Sequence, residues 1–481
     1  MMIRNKAELV SHGNRSGREM ALEILEAGLQ EVDPYVKAKR LVRLDGDKLL
    51  VGGEPDMDVS GFGDEVIDLS AIRHVYLIGA GKAVQRLALA LEETLGDRLT
   101  AGVIAVKKGE GGYLRRIRVI EAAHPVPDSS SAAAGAEALS IAESATEEDL
   151  VITVFGSGCS SLFVLPPAGI TLEEVQTVYR LAIKYGVMTL AHRVMPYFSE
   201  VNAGRIVARC QPARTLNLLT ALGRCERWNG NLPTSGSWVT SWPPGSKPME
   251  QAYRELQAEP WWDELPASMR SVLVRGDSRY EVPELEEFGR MRLSYWQPVD
   301  SRQMLVGAQQ RAEGLGLQGV ILGRCEWIDC ATTSQLLAGI AREVAEYGSP
   351  VQAPAALISG GELAVAVGEA TGIGGRNQEF VLLSALRLEG LAGRRAIVAA
   401  MDSDGTDGPG AQYAVGDDGI TCLAGGIVDD YTLQEAGDSR VDLVSELAAH
   451  NSTVPLVKLK SGIVTGNTGI CAGDLRLTIV L

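Results

Sequence analysis

The chain is expected to fold as α/β in two domains, with a doubly wound, largely parallel sheet in the first. Apolar runs of strand length alternate with helix-period segments from about residue 72 onward. Glycine loops stand where several of these runs give way to helices, as parallel βαβ units require. The alternation weakens between about residues 225 and 300 and then resumes. At 481 residues the chain is long for one core and fits two to three domains.

Residues 15–42 read as amphipathic helix, with Ala21, Ile24, Leu25, Ala27 and Leu29 spaced for one buried face. His74–Ile78 is a short apolar run, followed by Gly79-Ala80-Gly81-Lys82 and a helical pattern over 83–95. Further strand-like runs occupy 102–106, 117–121 and 150–155, with helices after Asp128 and Thr171. Between 225 and 300, Trp, Pro, Gly and charged residues cluster (Trp228, Trp238, Trp242, Pro243-Pro244, Trp261-Trp262) and read as an irregular connection. Strand-like runs return at 319–322, 355–358, 363–367, 396–401 and 475–480. The expected division is residues 1–245, a connection over 246–300, and 301–481, with a ligand cleft between the two domains.

Hydrophobic residues are 46% of the chain and charged residues 22%, enough to bury a large core. A net charge of −16 without a long basic run argues against nucleic-acid or anionic-membrane partners. Seven scattered cysteines, an odd count, fit a reducing compartment better than a disulfide framework, and no zinc spacing surrounds Cys325 and Cys330. The polar start of the chain lacks a signal-peptide core, and no run approaches a membrane span. The expected location is cytoplasmic.

Gly374-Gly375-Arg376-Asn377-Gln378-Glu379 concentrates the most chemistry in the fewest residues. Paired glycines allow close approach to a ligand, Arg suits phosphate or carboxylate oxygens, and a helix starting near Asn377 would add free N–H groups to the same anion site. The competing reading is a structural turn with a solvent-facing Arg. Gly79-Ala80-Gly81-Lys82 sits between a strand and a helix, where an anion cradle belongs, but it completes neither a Walker A loop nor a dinucleotide fingerprint. Gly156-Ser157-Gly158-Cys159-Ser160-Ser161 repeats the arrangement and reads as an anion nest or as a tight packing turn. A nucleophilic Ser157 or Cys159 is disfavoured, since no histidine stands beside them in sequence. His124-Pro125-Val126-Pro127-Asp128 reads as a rigid turn with Asp128 as N-cap; His124 either faces the crevice or serves structurally. Asp402-Ser403-Asp404-Gly405-Thr406-Asp407-Gly408-Pro409 follows a strand and suits Mg²⁺, a general base for a hydroxyl, or a solvated turn. Cations together with carboxylates for Mg²⁺ are what phosphoryl transfer requires.

On these residues the chain resembles the type II glycerate 2-kinases, the MOFRL family. The resemblance runs through Gly79–Ala83, His124–Asp128, Gly204-Arg205, Gly360-Gly361-Glu362, Gly374–Glu379, Asp404–Pro409, Thr465-Gly466, Thr468-Gly469 and Asp474-Leu475. It implies a Rossmann-like N-terminal domain, a C-terminal MOFRL-like α/β domain, and phosphorylation of the 2-hydroxyl of D-glycerate or a related small hydroxy acid, dependent on ATP and Mg²⁺. It also implies Lys82 and Arg376 as catalytic cations, with Asp404 and Asp407 at the site as catalytic residues that bind Mg²⁺ or orient the acceptor hydroxyl. Gly79, Gly81, Gly158, Ser160, Arg205, Glu362, Gly375, Asn377 and Glu379 would bind substrate or phosphate.

The chain departs from the family pattern in its loops. It has a shorter glycine run at 156–160, Asn202-Ala203 where Lys-Gly is usual, and Gly223–Asn229 where an acidic segment is usual, with only a faint match at Ser235-Gly236. Asn467, Ile470 and Cys471 replace the usual Pro, Thr and Asn. These changes keep a second reading in play, a paralogue that binds nucleotide or hydroxy acid as a sensor or partner subunit. A hydroxypyruvate reductase rests only on the incomplete Gly79-x-Gly81 pattern and on older names within the family. The expected partners are a small hydroxy acid and a nucleotide; a homodimer stays open.

Overall fold

A computed structural model of the chain describes residues 2–59, 61–185, 189–220, 227–228, 232–233, 248–389, 391, 396–408 and 422–481. The features noted at 223–226, 229, 235–244 and Pro409 lie outside the described residues. The chain divides into two compact units, Pro34–Val299 and a discontinuous one that joins Met1–Asp33 to Asp300–Leu481.

This division departs from the expected one in two places. Residues 15–42 are not one helix but two, Arg15–Glu31 and Pro34–Leu41, and the unit boundary falls between them. Pro34 lacks an N–H and disfavours helical backbone in the residue before it, yet suits the first turn of the next helix. The stretch 246–300 is also more regular than its composition suggests. Pro248 and Pro266 stand at the N-caps of helices Met249–Leu256 and Ala267–Arg275. Met249, Leu256, Trp261, Met269 and Leu273 pack into one buried cluster with Val178 and Phe198. Here proline starts helices inside a stretch whose composition read as an irregular connection.

The sheet of the Pro34–Val299 unit runs Leu293–Val299, Arg214–Thr220, Leu150–Phe155, Val75–Ala80, Leu99–Lys107, Ile117–Ala122, and every neighbouring pair is parallel. Numbered in chain order and read from the opposite edge, the strands lie 3-2-1-4-5-6, the doubly wound arrangement expected. Side chains alternate between two buried layers. Leu77, Ile152, Val154 and Leu218 face one, and Ile78, Val151, Phe155 and Leu219 the other. Asp128 and Thr171 cap helices Ser129–Ser144 and Leu172–Lys184 with full capping boxes. The structure adds a small antiparallel sheet of Val42–Asp45, Lys48–Val51 and Glu65–Asp68 that the sequence pattern does not mark.

The second unit carries a mixed sheet in the order Gln318–Arg324, Ala355–Gly361, Asp474–Val480, Ala396–Asp402, Gly425–Asp429, Gly462–Ile463. Only its first pair is parallel. The expected strand over 363–367 shrinks to Leu363–Ala364, paired with Ile328–Asp329. Among the described residues, no helix is long and apolar enough to cross a membrane.

Candidate functional site

In a doubly wound sheet, ligands collect beyond the carboxyl ends of the strands where the winding reverses. Here that point lies between the first and fourth strands, Val75–Ala80 and Leu150–Phe155, which are neighbours with Ala80 opposite Phe155. The two glycine loops read from the sequence follow these two strands and interlock. The Gly81 N–H donates to Ala105 O (3.0 Å), Lys82 N–H to Ser157 O (2.9 Å) and Gly156 N–H to Ala80 O (3.0 Å). Gly79 and Gly81 serve this packing: a Cβ would stand 2.1 Å from Val154 O at Gly79 and 2.6 Å from Gly156 O at Gly81. At Gly158, φ is +81° and a Cβ would stand 2.9 Å from the His124 ring and 3.8 Å from Lys82 Cγ. The fold thus brings Lys82, His124 and Gly158 together, and places a histidine beside the serine loop that has none in sequence. Ser160 is the second residue of the short helix Cys159–Leu162, where its carbonyl accepts from the Tyr179 hydroxyl (2.5 Å). Burial pushes that phenol's pKa up.

Arg205 does something other than expected. Its Nη2 donates to the carbonyls of Pro196 (3.2 Å) and Tyr280 (2.9 Å), its Nε has no partner, and burial lowers its pKa. A guanidinium spent on two backbone carbonyls ties segments of its own unit together. Asn202, where the family pattern has a cation, is fully buried; it accepts from the Ser199 hydroxyl and leaves its Nδ2 without a partner.

The second group of residues belongs to the Asp300–Leu481 part of the other unit. Arg376 begins helix Arg376–Arg387. Its Nε donates to both oxygens of Asp474 (3.0 and 2.8 Å), and its Nη2 donates to Asp402 (2.8 Å) and Asp474 (2.8 Å), with Glu362 at 3.5 Å. Asp402 and Asp474 face each other across adjacent antiparallel strands, a like-charge pair that needs a cation between them. Arg476 adds a second, donating to Asp474 (3.0 Å) and to Gly360 O. Desolvation works against the charge on Arg376, but Asp474, Asp402 and Glu362 hold its pKa well above the ordinary value.

The helix N-terminus is not the open anion site expected. The Gly375 N–H donates to Ser452 Oγ (3.3 Å). The Asn377 and Gln378 N–H groups donate to the carboxylate of Asp407, as does the Asn377 side-chain amide. Asp407 therefore caps this helix from a distant segment, where a metal or hydroxyl role was expected. It is fully buried, and desolvation raises its pKa to about 6 against the pull of Arg376. Asn377 is buried against Asp407, and Gly375 is glycine because a Cβ would meet Asp407 O at 2.2 Å. Glu379 bonds His450, and burial raises its pKa. Asp404 lies in a loop anchored by Asp404 N–H to Asp402 Oδ1 (3.0 Å) and by Thr468 N–H to Asp404 O (3.2 Å).

The carboxylates Glu362, Glu379, Asp402, Asp404, Asp407 and Asp474 therefore outnumber the guanidinium groups of Arg376 and Arg476. The surroundings favour a cation, or an anion that arrives with one. Asp402 entered the sequence reading only within the acidic run 402–409 and Asp474 only within the resemblance; neither they nor Arg476 were named as site residues. The signal was a charged residue at each end of two apolar strands, and only the cross-strand register turns it into a site.

Residues 355–472 match the MOFRL family, and residues 20–222 match a domain described as of unknown function, DUF4147. The glycerate 2-kinase of Pyrococcus horikoshii is 30% identical over 464 residues, 96% of this chain and 97% of that protein. The chain belongs to the glycerate 2-kinase family. The D-glycerate 2-kinase of Thermotoga maritima is 30% identical over 410 residues, 85% of this chain and 91% of that protein. A crystal structure of glycerate kinase from Thermotoga maritima superposes with a TM-score of 0.76 at 26% identity, covering 97% of this chain and all of that one. Family membership fits a kinase more directly than it fits the incomplete dinucleotide pattern at Gly79.

Proposed function

We propose that this chain is a kinase that transfers a phosphoryl group from ATP to the 2-hydroxyl of D-glycerate or a closely related hydroxy acid. The observation that carries the reading is the placement of Lys82. It follows the first strand at the point where the doubly wound sheet reverses, beside Gly158 and His124. There the ammonium offsets charge on anionic oxygens, while Gly79, Gly81, Gly158 and Ser160 shape the loops around it.

In the other unit, the acidic surroundings of Arg376 suit a nucleotide whose phosphates carry Mg²⁺. Among the described residues, no group of three or more His, Cys, Asp or Glu side chains forms a metal cage. Mg²⁺ usually takes only one or two carboxylates plus phosphate oxygens, and Asp404 with Asp402 fits that need. When bound, the metal neutralises charge on the phosphates. Asp407 is assigned to holding the helix of Arg376, and Arg376 to stabilising the transferring group from a fixed position.

ADP release measured over a panel of small hydroxy acids tests the reading. D-glycerate or a near analogue should support turnover, and Lys82→Ala should lower it by about two orders of magnitude or more. A second reading, a sensor that binds nucleotide without turnover, is favoured by the diversion of Arg205 to backbone carbonyls. Stabilisation by ATP and Mg²⁺ with no ADP release across the panel would establish it.

A further inference from the structure

The turn that carries Arg376 has no ladder of its own. Residues 370–375 run without regular structure into helix Arg376–Arg387. Four consecutive residues at the junction of helices Leu443–Ala448 and Thr453–Lys458 grip it. His450 Nδ1 lies 2.8 Å from Glu379 Oε1. Asn451 Oδ1 accepts from the Ile373 N–H (3.1 Å), and Ser452 Oγ accepts from the Gly375 N–H. The Thr453 N–H donates to Ile373 O (2.9 Å), and its hydroxyl donates to Gln378 Oε1 (2.6 Å). A Cβ at Gly372 would stand 2.2 Å from Ala449 O, and one at Gly374 2.3 Å from Ser452 Oγ, so the grip needs both glycines.

His450 has a left-handed backbone, φ +51°, directly after its helix. The Asn451 N–H returns to Glu446 O (2.8 Å) and the His450 N–H to Leu447 O (3.0 Å), a closure that favours glycine at this position. Arg440 and Lys460 close the two flanking helices in the same way, with φ +52° at each. At His450 the side chain that a glycine would lack is the one bonded to Glu379.

We propose that His450, Asn451, Ser452 and Thr453 are positioning residues for phosphoryl transfer: they fix the turn from one side while Asp407 fixes it from the other, and so set where Arg376 acts. The proposal rests on the kinase reading. Displacing a catalytic group by about 1 Å can cost about 100-fold in rate.

The test uses the full chain with Thr453→Val, Thr453→Ser, His450→Gly and, as a control, Arg440→Gly. Thr453→Val and His450→Gly should lower kcat about 10- to 100-fold, with KM for ATP and acceptor changed less than about 3-fold. Thr453→Ser, which keeps the hydroxyl, should restore kcat, and Arg440→Gly should leave it unchanged. His450→Gly is decisive, because it relieves the left-handed backbone: a merely structural histidine predicts an unchanged kcat. Wild-type kcat in both His450→Gly and Thr453→Val, or no recovery in Thr453→Ser, overturns the proposal. A wild-type chain that releases no ADP overturns the kinase reading alone. Amide exchange over residues 372–379 then still decides whether the grip exists: faster exchange in Thr453→Val and His450→Gly upholds it, and wild-type exchange rejects it.

Discussion

Arg376 lies inside a cage of this chain's own carboxylates, so removing it does two things at once. Arg376→Ala leaves Asp474, which is fully buried, and Asp402, which is nearly so, without their main counter-charge. Breaking a buried pair from one side costs about 3–5 kcal/mol, so this variant should lose stability along with turnover. Lys82 lies half-buried in the other unit, so Lys82→Ala should lose turnover with a smaller fall in denaturant midpoint than Arg376→Ala. Equal stability of the two variants would contradict the cage. Asp407 adds a pH signature. Its pKa is about 6 folded against 3.8 ordinarily, so the folded chain holds the proton more tightly than the unfolded chain. That contribution is fully present below the ordinary value and is lost as pH rises through about 6, up to about 3 kcal/mol in all. Glu379 shifts in the same direction. Other carboxylates, Asp128, Asp149 and Glu174 among them, shift the opposite way, so the signature is read as a difference: between about pH 4 and pH 6.5 the stability of wild type relative to Asp407→Asn, measured by chemical denaturation, should fall as pH rises. A difference that stays level or grows across that window contradicts the assignment.

At the level of elements, three short helices in the second unit end alike, each with a bulky residue where glycine is favoured. After Thr432–Asp438, the Val441 N–H donates to Ala436 O (2.8 Å) with Arg440 left-handed. After Thr453–Lys458, the Ser461 N–H donates to Leu456 O (2.8 Å) with Lys460 left-handed. Arg440→Gly and Lys460→Gly should each stabilise the chain by about 0.5–1 kcal/mol, read as a higher denaturant midpoint at unchanged slope. A lower midpoint in both would show that the side chains outweigh the backbone relief. The same substitutions explain a limit of the sequence reading. A helix end is legible when glycine marks it, and Arg440, His450 and Lys460 give no such mark. The N-terminal ends at Asp128 and Thr171 were legible because the capping residue and its partner three positions on are local. Gly374–Glu379 was legible as a turn before a helix. That its N–H groups are already taken by Asp407 and Ser452 depends on segments roughly 30 and 77 residues away.

At the scale of the whole molecule, four strands of the parallel sheet were readable because strand, loop and helix follow one another consecutively, whereas Arg214–Thr220 and Leu293–Val299, the latter inside the stretch read as a connection, were not. Nor was the discontinuous unit. Helix Arg15–Glu31 packs on helix Ser301–Gly314 and on strands Ala396–Asp402 and Asp474–Val480. The tie is ionic as well as apolar. Arg18 is fully buried, its Nε donating to Asp429, while its Nη1 reaches Leu9 O (3.2 Å) and Ser461 Oγ (3.3 Å). In sequence, Arg18 is one polar residue on an amphipathic helix, and nothing local distinguishes it from a solvent-facing one. The two units therefore predict different fates for fragments of the chain. A fragment of residues 34–299 holds its complete sheet and both buried layers, and should unfold cooperatively by itself. A fragment of residues 300–481 lacks the helix that covers one sheet face and leaves Asp429 without Arg18; it should be largely unfolded. Adding residues 1–33 as a separate peptide should restore a cooperative transition whose midpoint rises with peptide concentration, since the peptide binds only the folded form. Arg18→Leu in that peptide should abolish the rescue, because it presents the buried Asp429 carboxylate with no counter-charge. Cooperative unfolding of residues 300–481 without the peptide would show that the N-terminal helix decorates a finished unit and is no part of its core.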